Sequence, residues 1–317
     1  MSLPDALGRL RLPAVAAPMF LTSGPDLVVE VCRSGVVGTF PALNQRSTIG
    51  FVDWLDEIKA RLEPHPEAAP FGVNLIVHRS NPRLDADLER VVAHKVPLVI
   101  TSLGAVPDVV RAVHSYGGLV FHDVIGRRHA EKAAEAGVDG IVAVCAGAGG
   151  HAGTLSPFAL ISEIRSFFDG TILLSGAIST GAQIAAARIM GADMAYMGTR
   201  FLATKEALVS AAQKNMTVGA RSSDILYTQA ISGVAANFLR QSIVAAGLDP
   251  DNLTAHGALD MQNEAKAWKT VWSAGHGVAA INDLPGAAEL CDRLVMEYTA
   301  AIAAAAGDPF ATRALQT

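Results

Sequence analysis

The sequence predicts one α/β domain, a closed (β/α)8 barrel with a small helical lobe added near its C-terminus. Eight short apolar or β-branched runs recur in order along the chain. Each is followed by a turn signal and then by a longer segment of helical period. The runs are apolar almost without interruption, as parallel strands covered on both faces are.

Taken in order, the runs occupy residues 14–19, 36–40, 71–77, 98–103, 119–124, 140–146, 171–176 and 194–199. Between them lie amphipathic stretches such as 127–136, 157–168 and 179–190, with apolar residues three and four apart. Gly137, Gly170 and Gly191 stand at their ends as helix stops. A doubly wound open sheet is the alternative, but eight units without a reversal of layout fit the barrel size of about 250 residues. From Asn215 the alternation stops, and the text turns helical and more polar through Lys269, broken at Gly247-Leu248-Asp249-Pro250. The expected organisation is therefore a barrel over 1–214 and 268–317 and a helical lobe over 215–267 that covers the active site. An apolar helix over 287–305 is expected to pack back as the eighth helix, with 307–317 a loose tail.

Composition narrows the function. The chain has 317 residues, half of them hydrophobic, a net charge of -5 and a charged fraction of 17%. No run of Lys and Arg is present to track a phosphate backbone, so nucleic acid is not an expected partner. No apolar stretch reaches the ~18 residues that span a membrane, and residues 1–11 lack an apolar signal core, so the chain is expected to be cytoplasmic. Cys32, Cys145 and Cys291 are odd in number and widely spaced, which suits reduced core thiols better than disulfides or zinc. No metal is expected.

Barrel enzymes carry their chemistry on loops after the strands, and phosphate commonly binds after the seventh and eighth. Here those ends read Ser175-Gly176-Ala177-Ile178 and Met197-Gly198-Thr199-Arg200. Each glycine lets backbone N–H groups approach an anion, and each turn leads into a helix N-terminus. A pair of tight turns is the plain alternative. The sixth run ends in Cys145-Ala146-Gly147-Ala148-Gly149-Gly150-His151-Ala152-Gly153, backbone that can lie flat against a planar ligand. His151 stands in its midst, and an imidazole can accept or donate a proton over such a ligand. Further polar groups stand at other strand ends: Asn74, Thr101, Ser102, His122 and Asp123. A buried amide such as Asn74 needs a hydrogen-bond partner, which the edge of a planar heterocyclic ligand offers. His122 reads equally well as a satisfied core histidine. His65, His78, His94, His114, His129 and His256 have no constellation around them.

Several motifs together, Ala17-Pro18-Met19, Gly72-Val73-Asn74, Ala148-Gly149-Gly150-His151-Ala152-Gly153, Ser175-Gly176-Ala177-Ile178, Met197-Gly198-Thr199-Arg200-Phe201 and Trp272-Ser273-Ala274-Gly275-His276-Gly277, resemble the nitronate monooxygenase family of TIM-barrel flavoproteins. The resemblance implies an FMN-dependent oxidoreductase that oxidises alkyl nitronates with O2, His151 being the catalytic residue. It also takes in NAD(P)H-dependent quinone and enoyl-thioester reductases, and a non-catalytic flavin-binding barrel is the third reading. A small molecule, nitronate or quinone-like, is the expected partner, and no motif reports the oligomeric state. With the strand ends, the resemblance assigns cofactor contacts to Ala17, Pro18, Met19, Asn74, Thr101, His122, Gly149, Gly150, Ser175, Gly176, Ala177, Gly198 and Thr199. His276 and Arg46 are candidate substrate contacts, a solvated loop arginine being the plainer reading of Arg46. One departure stands out: relatives commonly place Lys or another polar residue near the position of Asp123, on the pyrimidine side of the flavin.

Overall fold

In the computed structural model, which describes residues 3–78, 80–104, 107–253 and 270–310, eight parallel strands close into a barrel. They are β1 (Ala14–Ala16), β2 (Val37–Pro41), β3 (Gly72–Ile76), β4 (Leu98–Ser102), β5 (Leu119–Val124), β6 (Gly140–Val144), β8 (Thr171–Ser175) and β9 (Met194–Met197). A two-residue strand, β7 (Gly150–His151), stands outside the barrel. Closure is made by β1 against β9, with Ala14 beside Ala195 and Ala16 beside Met197. All eight expected runs are barrel strands.

Alternation sorts each strand into two faces. Val15, Val37, Leu98, Ile100, Phe121, Val142, Leu173 and Met194 fill the barrel interior. Val73, Leu75, Val99, Val120, Val124, Ile141, Ala143, Ile172 and Leu174 belong instead to the layer between strands and helices. Gly140 makes room for the largest interior ring, because a Cβ there would sit 2.5 Å from Phe121.

The helices α1 (Pro25–Arg33), α2 (Thr48–Leu62), α3 (Leu84–Ala93), α4 (Pro107–His114), α5 (Arg127–Glu135), α6 (Pro157–Arg165) and α7 (Gly181–Ile189) wrap the barrel. Gly137 and Gly191 do end α5 and α7 in left-handed backbone, with φ of 83° and 104°. The last helix, α11 (Ala287–Ala306), packs on α7 and α1. Its fit on α7 is close enough that a Cβ on Gly181 would overlap the α11 backbone at Leu294 and Tyr298. Among the described residues no helix is long and apolar enough to cross a membrane.

The segment 215–267, expected to be helical, is partly β. After α8 (Thr199–Leu202) and α9 (Ala211–Gly219) come β10 (Ile225–Thr228), β11 (Ala236–Leu239) and the short α10 (Arg240–Ala245). Residues 254–269 lie outside the described chain. β10 and β11 form an antiparallel hairpin whose outer partner is β7, giving a small three-stranded sheet over the barrel mouth. Ile225, Tyr227, Thr228 and Phe238 are strand formers. Ala236, Phe238 and Leu239 are fully buried.

Candidate active site

The strand faces decide which polar residues reach the mouth. Phe121 points inward, so Asp123, two residues on, does too, and the same parity turns Asn74, Ser102, Ser175 and Tyr196 toward the lumen. Asn74 is buried, and its Nδ2 donates to the Ile100 carbonyl at 3.1 Å and to Ser102 Oγ at 2.8 Å. Ser102 Oγ in turn donates to Asp123 Oδ2 at 2.6 Å. The other carboxylate oxygen, Oδ1, is buried with no hydrogen-bond partner among the described residues. Burial raises the Asp123 carboxyl to about 6, against the lowering effect of the Ser102 bond. The Tyr196 phenol is pushed well above its usual range by burial and by the negative charge of Asp123.

Thr101 and His122, expected at the cofactor, have the opposite parity and turn to the helix layer with Val99, Val120 and Val124. They satisfy each other there, Thr101 Oγ1 lying 2.7 Å from His122 Nδ1. Burial, helped by the charge of His129 on α5, lowers His122 to about 4, so it is a neutral core histidine.

The turn after β8 has the form expected of an anion cradle. Gly176 takes φ 139° and Ala177 takes φ 56°, so two consecutive residues have positive φ. A Cβ on Gly176 would approach the Ala146 carbonyl to 2.9 Å. Among the described residues the N–H groups of Gly176, Ala177 and Gly198 take no partner. The N-terminus of α7, expected to offer its own donors, does not. Ser179 N and Thr180 N donate to Gln183 Oε1 at 2.7 and 3.1 Å, and Gly181 N donates to Glu297 Oε2 at 2.7 Å. That helix end is closed by a capping box and a carboxylate from α11, which leaves the amides of the preceding loop as the open donors.

The glycine-rich loop is clamped from two sides. Gly150 and His151, as β7, pair with Asn237 and Ala236 of β11. Asn237 Nδ2 donates to the Ala148 carbonyl at 2.6 Å, and the Tyr227 hydroxyl to the Ala152 carbonyl at 3.0 Å. From the far side, Gly150 N donates to Ser273 Oγ at 2.6 Å and His276 N to the Gly147 carbonyl at 2.9 Å. Gly149 and Gly275 face each other at backbone contact: a Cβ on Gly149 would lie 2.9 Å from Gly275 N. Thr199 Oγ1 accepts from Gly275 N at 2.9 Å and ties this knot to the turn after β9. His151 is thus held half-buried on a strand rather than hung on a free loop.

His276 is exposed, its ring resting where a Cβ on Gly147 would meet Nδ1 at 3.1 Å. Arg46 is exposed and makes no ion pair among the described residues. Its neighbour Asn44 does more: Nδ2 donates to the Met19 and Ser23 carbonyls at 3.1 and 2.7 Å, and Oδ1 accepts from Leu21 N at 2.8 Å. Asn44 thereby shapes the Ala17-Pro18-Met19 turn, a role that only its turn-forming residue type could have hinted at. Met19 lies along Gly198, with Sδ 3.5 Å from the position of a Cβ there. Arg200, fully buried, bonds Asp283 and the Ala203 carbonyl and is scaffold.

Residues 80–297 match the family model described as nitronate monooxygenase. The nitronate monooxygenase of Paraburkholderia phytofirmans is 28% identical over 92% of this chain and 93% of its own length. A Mycobacterium tuberculosis relative is 36% identical over 155 residues, a match that spans 48% of this chain and 41% of that protein. The structure of nitroalkane oxidase from Streptomyces ansochromogenes superposes with a TM-score of 0.83 at 24% identity, over 95% of this chain and 99% of that one, and has the same fold. Matched by that model across more than half its length, the chain belongs to the nitronate monooxygenase family of flavin-dependent oxidoreductases.

Proposed function

We propose that the barrel mouth binds FMN and oxidises small alkyl nitronates with O2, with His151 as the catalytic residue. The observation that carries this reading is the set of unpartnered N–H groups of Gly176, Ala177 and Gly198, placed where the seventh and eighth barrel strands end. These amides fit the phosphate. Met19, beside Gly198, and the clamped Gly149-Gly150 backbone fit a flat ring, and Asn74 and Ser175 face the same space.

FMN, when bound, would supply the redox chemistry between the nitronate and O2. The chain's own residues do the rest. His151 sits on the edge of β7, where its imidazole can hold or release a proton beside the substrate carbon. The hairpin β10–β11, hydrogen-bonded to that same strand, covers the mouth and limits water. His276, exposed, is the second substrate contact, and Arg46, exposed in the loop after β2, is a candidate cation for an anionic substrate.

The test is anaerobic mixing of the flavin-loaded protein with propyl-2-nitronate and, separately, with NADH. Bleaching of the flavin by the nitronate is expected. No bleaching at millimolar nitronate refutes the reading, and bleaching by NADH alone assigns a nicotinamide-dependent reductase.

A further inference from the structure

Asn74, Ser102 and Asp123 form a directed chain of donation across three adjacent strands. The Asn74 amide nitrogen can only donate, so Ser102 Oγ accepts from it at 2.8 Å. The single hydroxyl proton of Ser102 is then committed to Asp123 Oδ2 at 2.6 Å. This fixes the carboxylate plane and leaves Oδ1 as the open acceptor, buried and without a partner among the described residues. A buried acceptor left unmade costs about 1–3 kcal/mol, more for a charged group.

We infer that Asp123 Oδ1 accepts a hydrogen bond from a ring N–H of the ligand bound in the barrel mouth. The inference rests on the FMN reading, since the oxidised isoalloxazine ring has one N–H, the imide, and a carboxylate matches it. Among the described residues no cation lies within hydrogen-bonding reach of Oδ1. Tyr196 of β9, neutral at all working pH values, is the titratable group facing Asp123 from across the lumen. Val142 and Val144 of β6 and Ile100 of β4 present apolar side chains to the interior. His122 and, beyond it, His129 of α5 lie on the helix side. Among the described residues no group donates to Oδ1, which leaves the ligand as the donor.

The ionised carboxylate accepts the bond far better than the neutral acid, whose own proton would occupy the open Oδ1. With the carboxyl raised to about 6, affinity for the ring grows as pH climbs through that value and levels off above it. The full-length chain, freed of flavin and checked for folding by circular dichroism, is titrated with FMN and with its N3-methyl analogue by fluorescence quenching. At pH 8 FMN should bind about 10–100-fold more tightly than the analogue, the range for a hydrogen bond to a charged group. That preference should shrink in the wild type at pH 5 and in Asp123→Asn at either pH, and Ser102→Ala should reduce it in part. A preference unchanged between pH 5 and 8 in the wild type, or unchanged in a folded Asp123→Asn, overturns the inference while leaving FMN binding intact. Failure of the wild type to bind either flavin overturns the FMN reading itself.

Discussion

Gly275→Ala probes the knot that holds the glycine-rich loop. Gly275 has φ -98° and ψ 172°, extended backbone that alanine adopts freely, so the cost is wholly steric. The added Cβ would press on the Gly147 carbonyl and lie 2.7 Å from Gly149 N and 3.1 Å from the Ala148 carbonyl carbon. These are backbone atoms with no side chain to swing away, so the loops must part. Three hydrogen bonds join this segment to the glycine-rich loop and to the turn after β9: His276 N to Gly147 O at 2.9 Å, Gly275 N to Thr199 Oγ1 at 2.9 Å and Gly150 N to Ser273 Oγ at 2.6 Å. Losing two or three, at about 1 kcal/mol each, destabilises the fold by about 2–3 kcal/mol. With an unfolding entropy of about 2.1 cal/mol/K per residue, Tm falls by about 3–5 °C. Flavin binding should weaken along with it, because Gly149 and Gly150 move. Gly219→Ala is the matched control: nothing lies within 4 Å of its Cβ position, at the end of α9. Differential scanning calorimetry of both variants is the assay. If Gly275→Ala melts within about 1 °C of wild type and retains its flavin, the clamp is not holding the loop.

Other expectations concern single groups. His151→Ala should lower nitronate turnover about 10²–10⁴-fold with flavin still bound; loss of the flavin instead would make His151 scaffold. Glu297→Ala removes the acceptor of Gly181 N and should cost about 1 kcal/mol of stability, as cap losses do. Flavin affinity should hardly change, since the anion donors lie in the preceding loop, and a large loss would show that the helix end does bind the phosphate. His122, at about 4 when folded against 6.5 when free, stays neutral as the unfolded chain protonates, so it drains stability as pH falls from 6.5 toward 4. Asp123, raised from 3.8 to about 6, tilts the other way, favouring the folded state as pH falls through the same window. Urea unfolding of Asp123→Asn with and without His122→Gln separates the two. The first variant should lose up to about 3 kcal/mol more than the second between pH 7 and 4, and equal slopes would contradict a buried neutral histidine.

Much of this was legible because apolar runs and glycine stops are local signals. The barrel strands and the helices α5, α6 and α7 fall within a few residues of the expected segments. The β10–β11 hairpin was not legible. Its third strand, Gly150–His151, lies far upstream, and the connection from Thr228 to Ala236 has no two-residue turn to announce it. Thr101 and His122 show another limit. When both faces of a strand are apolar, composition cannot say which residues face the lumen, and Ser102 and Asp123 emerge only once Phe121 is known to point inward. Asn44 gave no periodic signal, and its contacts depend on a loop made by another strand end.

Because β7 carries His151 as an edge of the appended sheet, the imidazole takes its aim from the hairpin as well as from the barrel. The barrel can then stay unchanged while evolution edits the 229–235 connection or the β10 surface. Each edit would steer the same imidazole over a different molecule, a cheap route by which one flavin barrel diversifies its chemistry.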